Sequence, residues 1–417
     1  TLSLHVMTAV VVVYLLFAPR LHALAKERNY LTPTDYIDDR YQNRLLSLFI
    51  SIIMIIVLCN FTLAQLMAMG RAMQGLSSTG DSATYVSGVV LLALIMVIYG
   101  TLGGIRAIAW TDALQGIVLF FGFAFLILLI IDRFGPIEEA TRVLMNRDLI
   151  EGTKYTTPPD ANACRTWLSY ILAVGFGVSL YPQAIQRIYA AKSAIVLRKS
   201  LAVMAFMPLP TMIISTVAGI MALAYFPGLQ GAEADSAFGT ILREIQIHSV
   251  IGYGLVIVTL AAVLAAMMST ADSALLSVSS MLTKDIVAKY AKVELKEADL
   301  TKIAKLTSWI LVLFLVILAI ILREKTSLVQ LLDRKIDLLI QLSPAFILGI
   351  RCNFLRGKAV LAGLCVGVII ALTLAFVDFE FVKNGKIAGF HPGVIALCPN
   401  LAIVLFGSLL LGNKELR

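Results

Sequence analysis

The chain is poor in charge. Only 14% of its 417 residues are Asp, Glu, Lys or Arg, against about 25% in soluble domains. Histidine occurs four times and cysteine five, with no Cys-x-x-Cys pair and no His cluster among His5, His22, His248 and His391. Disulfide frameworks and thiolate metal centres are thereby disfavoured. The net charge of +8 invites a nucleic-acid reading, but no Lys/Arg block is dense enough to sustain one. No nucleophile–base pair, metal-ligand cluster or nucleotide loop marks an enzyme, and no cofactor is expected. Thr1 opens almost directly into an apolar run without a basic leader or a cleavage site, so we expect an upstream part rather than a signal peptide.

What the chain has in excess is hydrocarbon: 59% of its residues are hydrophobic and the mean hydropathy is +0.90. A bilayer-spanning helix needs about 20 apolar residues, since ~30 Å of hydrocarbon is crossed at ~1.5 Å per residue. Continuous apolar segments fall near 4–24, 44–70, 84–101, 113–133, 166–183, 199–226, 249–283, 303–322, 327–351, 358–377 and 391–412. Their continuity predicts helices rather than alternating barrel strands, hence an all-α integral membrane protein of about eleven spans. Most of the 34 basic residues lie in one alternate set of loops, around Arg20–Arg44, Arg106, Arg187–Lys199, Lys284–Lys305, Arg351–Lys358 and Lys414–Arg417. By the positive-inside rule that set is cytoplasmic, and the C-terminus with it.

Four places break the apolar pattern. In 166–183, Gly175, Gly177 and Pro182 crowd eight residues of Ala173-Val-Gly-Phe-Gly-Val-Ser-Leu-Tyr-Pro-Gln183. Either small residues let helices pack closely, or an unwound stretch frees carbonyls into a substrate cavity, with Tyr181 and Gln183 as polar contacts. In 249–283, Ser269, Asp272 and Ser273 stand at i, i+3 and i+4 on one helical face. A carboxylate at that depth is expensive, and hydroxyl, carbonyl and carboxylate oxygens are what a hard cation takes. Small-residue packing accounts for Ser277 to Ser280 without further role. Thr111-Asp112 reads equally as a helix start with a capping oxygen, or as a carboxylate facing 249–283 to complete an oxygen cage. Asp333-Arg334-Lys335-Ile-Asp337 reads as a solvated outer rim with internal pairing, or as part of an outer vestibule.

Three stretches together resemble the sodium/solute symporter family: Gly103-Gly-x-Arg-Ala-x-x-Trp-Thr-Asp-x-x-Gln115; Tyr181-Pro-Gln-Ala-Ile-Gln-Arg187 with Ala190-Ala-Lys-Ser193; and Ala265-Ala-x-Met-Ser-Thr-x-Asp-Ser273 with Leu282-Thr-Lys-Asp285. Leu31-Thr-Pro-Thr-Asp-Tyr36, followed by Arg40 and Tyr41, is similar to a loop of the same family. The resemblance covers nearly the whole chain. It implies the leucine-transporter fold, two five-helix repeats of inverted topology with solute and sodium near the midplane. Residues 1–417 would then form one transmembrane domain: 4–133 an incomplete first repeat, 166–351 the second, and 358–412 two accessory helices. The family's first two helices have no counterpart before Leu4.

Carried over residue by residue, the resemblance implies a sodium site from the Ala266 carbonyl, Ser269 and Thr270. It implies a possible second sodium between Asp112, Ser269, Asp272 and Ser273, with Asp at 272 where such members have Ser. Tyr181, Pro182 and Gln183 fall in the gate and substrate region. The function expected is sodium-coupled uptake of a small organic solute by alternating access in the plasma membrane. The competing reading is a transporter-shaped sensor or assembly subunit that binds ligand without completing transport. Sodium, solute and lipid bilayer are the expected partners, and nucleic acid is not.

Overall fold

A computed structural model describes residues 2–77, 81–206, 208–229, 233–248, 250–289, 296–377, 379–383 and 385–412. Lys292, Lys414, Arg417 and the side chains of Arg106 and Thr111 lie outside the described residues. Fifteen helices follow one another among them: α1 Leu2–Arg28, α2 Pro33–Tyr41, α3 Arg44–Leu76, α4 Ser82–Phe134, α5 Ile137–Glu151, α6 Ala161–Val178, α7 Pro182–Ala190, α8 Ala194–Phe206, α9 Pro208–Tyr225, α10 Ala237–His248, α11 Val250–Met281, α12 Glu297–Leu322, α13 Leu328–Leu339, α14 Gly357–Phe376 and α15 Pro392–Gly412.

Every apolar segment of the sequence falls on helix, but not one helix each. Among the described residues, seven helices are long and apolar enough to cross a bilayer, or eight if the bent pair α6–α7 counts as one span. The described residues of the 199–226 segment lie on α8 and α9 up to Tyr225. Two segments expected to be joined by a break, 84–101 and 113–133, lie in the single helix α4. The loops at 134–165 and 227–247 contain helices of their own, α5 and α10, and the 378–390 loop holds a two-residue antiparallel ribbon, Val382–Lys383 on Lys386–Ile387.

Local chemistry sets several starts. Asn43 accepts from the Leu45 and Leu46 amides at the head of α3, and Asp160 from that of Ala163 at the head of α6. Ser327 and Gln330 form a reciprocal capping box on α13, which satisfies donors that would otherwise be orphaned. Two helices pass into wider turns, α11 as π-helix over Leu282–Ala288 and α13 through Ile340–Leu342 to a π-turn at Pro344–Leu348. The second turn frees the Ala345 carbonyl, which accepts the Tyr41 hydroxyl at 2.9 Å. Arg40 closes the end of that turn, donating to the carbonyls of Gly349 and Cys352 at 3.0 and 2.9 Å.

The largest apolar core joins α1, α2, the first half of α3, α6, α7, α13 and the end of α11. A second lies among α4, α5, α9 and α10, and a third where α3, α4, α11 and α12 meet. Through the first core runs a buried polar chain that ties α13 to α14 and α15. Asp337 accepts the Gly393 amide at 2.8 Å; Gln341 donates to the Gly393 carbonyl at 2.7 Å; Asn400 donates to the backbone and side-chain oxygens of Gln341 at 2.9 and 3.1 Å. Glycine permits these approaches: a Cβ at Gly393 would strike Asp337, and one at Gly367 would strike the Gln341 amide.

Candidate functional site

The bend between α6 and α7 is the local feature on which the site is built. The axis turns by 50° there. It is a tight break rather than a long unwound stretch, since the amides of Leu180 and Tyr181 still reach the carbonyls of Gly177 and Val178. Pro182 restarts the helix at its first position, where a missing N–H costs nothing. Of the two sequence readings of the glycines, close packing holds, and the break beside them is short rather than unwound. A Cβ on Gly175 would press Ala9 of α1 at 3.1 Å, and one on Gly177 the Ile336 carbonyl of α13 at 3.3 Å, so they pack closely and also flank a break.

Beside the bend lies a cavity of about 600 Å³, within the size range of small-molecule sites. Tyr181, Gln183, Ser269, Thr270 and Ser273 all contribute to its wall. The structure thus brings Tyr181 and Gln183, at the start of α7, and the hydroxyls of α11 to one space. The Tyr181 ring stacks on Phe61 of α3, centroids 4.9 Å apart. The Gln183 carbonyl oxygen is buried and accepts no hydrogen bond, an orphaned acceptor of the kind that calls for a ligand. Pro182 is buried but sets geometry only.

On α11, Ser269 and Thr270 both donate to the Ala266 carbonyl, at 3.2 and 3.0 Å. These three oxygens form a compact donor set. Rotating the two hydroxyl hydrogens away would turn their lone pairs and the carbonyl toward a common point, which suits a hard cation. Asp272, one turn on, is 2% exposed, and its Oδ1 has no hydrogen-bond partner.

The proposed second cluster is organised by a residue that the charge pattern assigns to a cytoplasmic loop. Arg187 donates through Nη2 to Asp112 Oδ2 and to Ser273 Oγ, both at 2.6 Å. Asp112 is therefore no helix start: α4 runs through it from Ser82 to Phe134, and its carboxylate pairs across to α7. Next to Arg187, Gln186 accepts from Ser277 at 2.7 Å and donates to Ser280 at 3.0 Å. These two serines are polar partners of α7, not only small packing residues. Gln186 and Arg187 lie four and five places after the helix-restarting Pro182, and that spacing was the available signal.

The Asp333–Asp337 stretch also needs correction. Lys335 and Asp337 are 4% and 2% exposed, so this is no solvated rim. Asp333 accepts from the Tyr170 hydroxyl at 2.9 Å and pairs with Lys386 at 3.5 Å, and Asp337 belongs to the chain to α15. Internal pairing is absent from the described contacts because successive residues of α13 are turned about 100° from one another, so that each charge meets a different neighbour.

The motif Leu31–Tyr41 proves to be a clamp on the far ends of α11 and α13. Thr32 donates to Asp285, Lys284 pairs with Asp35 at 2.6 Å, and Lys289 with Asp38.

Comparison with known proteins agrees with this geometry. The chain is 28% identical over 263 residues to a sodium/pantothenate symporter of Haemophilus influenzae, covering 63% of this chain and 52% of that one. It is 27% identical over 312 residues to an osmoregulated proline transporter of Bacillus subtilis, covering 74% and 61%. The chain thus spans between half and two thirds of the length of these relatives. A Na+-coupled sialic acid symporter solved in a substrate-bound outward-open state superposes with a TM-score of 0.71 at 18% identity, covering 98% of this chain and 83% of its own. That likeness establishes the all-α transporter fold. The model of the sodium:solute symporter family matches residues 1–367, and the chain belongs to that family.

Proposed function

We propose that this chain is the transport domain of a symporter that couples inward sodium flow to uptake of a small organic solute by alternating access. The observation that carries the reading is the shared cavity: Tyr181 and Gln183 at the α6–α7 bend and Ser269 and Thr270 on α11 line one space. Coupling requires that sodium and solute each tighten the other's binding, and a common wall supplies a short path for it. Pantothenate and proline, carried by the named relatives, are of a size that such a cavity holds.

In this reading Ala266 O, Ser269 Oγ and Thr270 Oγ1 are sodium ligands, and the buried Asp272 adds negative charge nearby. The set Asp112, Ser269, Asp272 and Ser273 can hold a second sodium only after Arg187 leaves, because its guanidinium already bridges two of the four. We place the repeats at 4–133 and 166–351, with 358–412 appended, in the plasma membrane with the C-terminus cytoplasmic. One sodium entering down 100 mV supplies about 2.3 kcal/mol, enough for roughly fiftyfold accumulation of a neutral solute. The test is uptake of pantothenate, proline and lactate by the full-length protein in vesicles, with an inward sodium gradient against an equal potassium gradient. Uptake that ignores the choice of cation would refute the coupling.

A further inference from the structure

Among the buried charges, Lys335 stands apart. Its neighbours on α13 are each committed: Asp333 to Tyr170 and Lys386, Arg334 to the Phe376 ring at 5.1 Å, Asp337 to the Gly393 amide. Lys335 is 4% exposed, yet among the described residues its ammonium meets no carboxylate but two ring faces, Phe61 at 3.9 Å and Tyr181 at 5.8 Å from the centroids. Both rings belong to the wall of the cavity.

Two aromatic faces do not offset that burial. A desolvated cation–π contact is worth about 2 kcal/mol, while a buried ion loses several kcal/mol of hydration. An uncompensated ammonium at membrane depth is a functional feature by default. We propose that Lys335 is the anion-binding end of the solute site and that the solute carries a carboxylate. A positive charge repels sodium, so it cannot serve the cation, whose oxygens lie on α11. A carboxylate-bearing solute would then place its anionic end against Lys335 once the Phe61–Tyr181 stack parts, its remainder beside Gln183 and Ser269. The ammonium supplies a charge-assisted hydrogen-bond donor for a carboxylate, whereas the cation in the cavity wall itself, Arg187, is already bonded to Asp112 and Ser273.

The inference rests on the transport reading, and its test separates the two. Melting of the purified full-length protein is measured in sodium and in potassium with pantothenate, lactate and propionate, and with the uncharged amide of each. Expected is sodium-dependent stabilisation by at least one acid and not by its amide. Lys335→Gln should weaken that acid at least tenfold. Lys335→Met, which removes an uncompensated buried charge, should melt above the parent when no solute is present. Acid binding that survives K335Q, an amide that binds as well as its acid, or a K335M protein that melts below the parent overturns the lysine assignment alone. No sodium-dependent stabilisation by any acid or amide overturns the transport reading and this inference together.

Discussion

The Thr32 hydroxyl donates to the Asp285 carboxylate at 2.8 Å across 253 positions of chain, and both residues are buried. This bond fastens the start of α2 to the π-turn that ends α11. With Lys284 on Asp35 and Lys289 on Asp38, it makes one clamp from two motifs that are distant in sequence. A hydrogen bond to a buried charge contributes about 1.5–3 kcal/mol. Thr32→Val keeps shape and loses the donor, so it should destabilise the fold by about that amount, read from denaturant midpoints of the purified protein. A change below about 0.5 kcal/mol would mean that water replaces the hydroxyl.

Ser269→Ala combined with Thr270→Ala removes two of three oxygens from the sodium set and leaves the cavity's apolar wall intact. The sodium concentration for half-maximal uptake should rise at least tenfold, which asks only about 1.4 kcal/mol of two ligands. Both hydroxyls are bonded to a carbonyl within their own helix, so the double variant should express and melt normally.

Arg187 and Asp112 should act as a pair. The Arg187 side chain is 62% exposed, so screening keeps the coupling near the low end for contacting residues, about 1 kcal/mol in a double-mutant cycle of Arg187→Gln and Asp112→Asn. If Asp112 holds a second sodium in some step of the cycle, Asp112→Asn lowers the Hill coefficient for sodium toward one. If it serves only Arg187, the coefficient stays and the double variant costs no more than either single one.

Outside the membrane, Asp148 at the end of α5 organises the adjoining turn. The Thr156 and Thr153 hydroxyls donate to it at 2.6 and 2.7 Å, and the Thr156 and Tyr155 amides at 2.7 and 2.9 Å. The Thr156 hydroxyl foremost, with these other donors, holds its carboxyl below the usual range. A depressed folded-state pKa gives stability that is present above the unfolded value, near 3.9, and is lost as pH falls below it. The protection of the Tyr155 and Thr156 amides, taken relative to their intrinsic exchange rate at each pH, should therefore fall below about pH 4, and Asp148→Asn should lower that protection already at neutral pH.

Much of the helical plan was legible because hydrocarbon thickness imposes it: an apolar run such as 358–377 has few alternatives to α14. The polar face of Ser269, Asp272 and Ser273 stood out for a similar reason, as polar oxygens at that depth need a purpose, and the structure sets Ser269 and Ser273 in the cavity wall with Asp272 buried beside them. What escaped depends on tertiary neighbours. Arg187 reads as one more basic residue until the bend at 179–181 aims it at α4. Lys335 reads as solvated because Asp333 and Asp337 flank it, and only the packing of α13 against Phe61 and Tyr181 reveals that neither carboxylate reaches it. Asp112 reads as a cap because Thr-Asp is a common helix start, and nothing local says that α4 continues through it.

The polar chain from Asp337 through Gln341 to Asn400 bears on where this architecture can be cut. Residues 358–412 look dispensable as an appendage to two repeats. Yet trimming the chain at Arg356 would strip Asp337 of its amide donor and Gln341 of an acceptor and a donor. Each buried group so orphaned costs about 1–3 kcal/mol, more for the carboxylate, and lipid offers no replacement. The last two helices are thus tied into the buried polar network of the rest, and any shortened version of this chain must keep them.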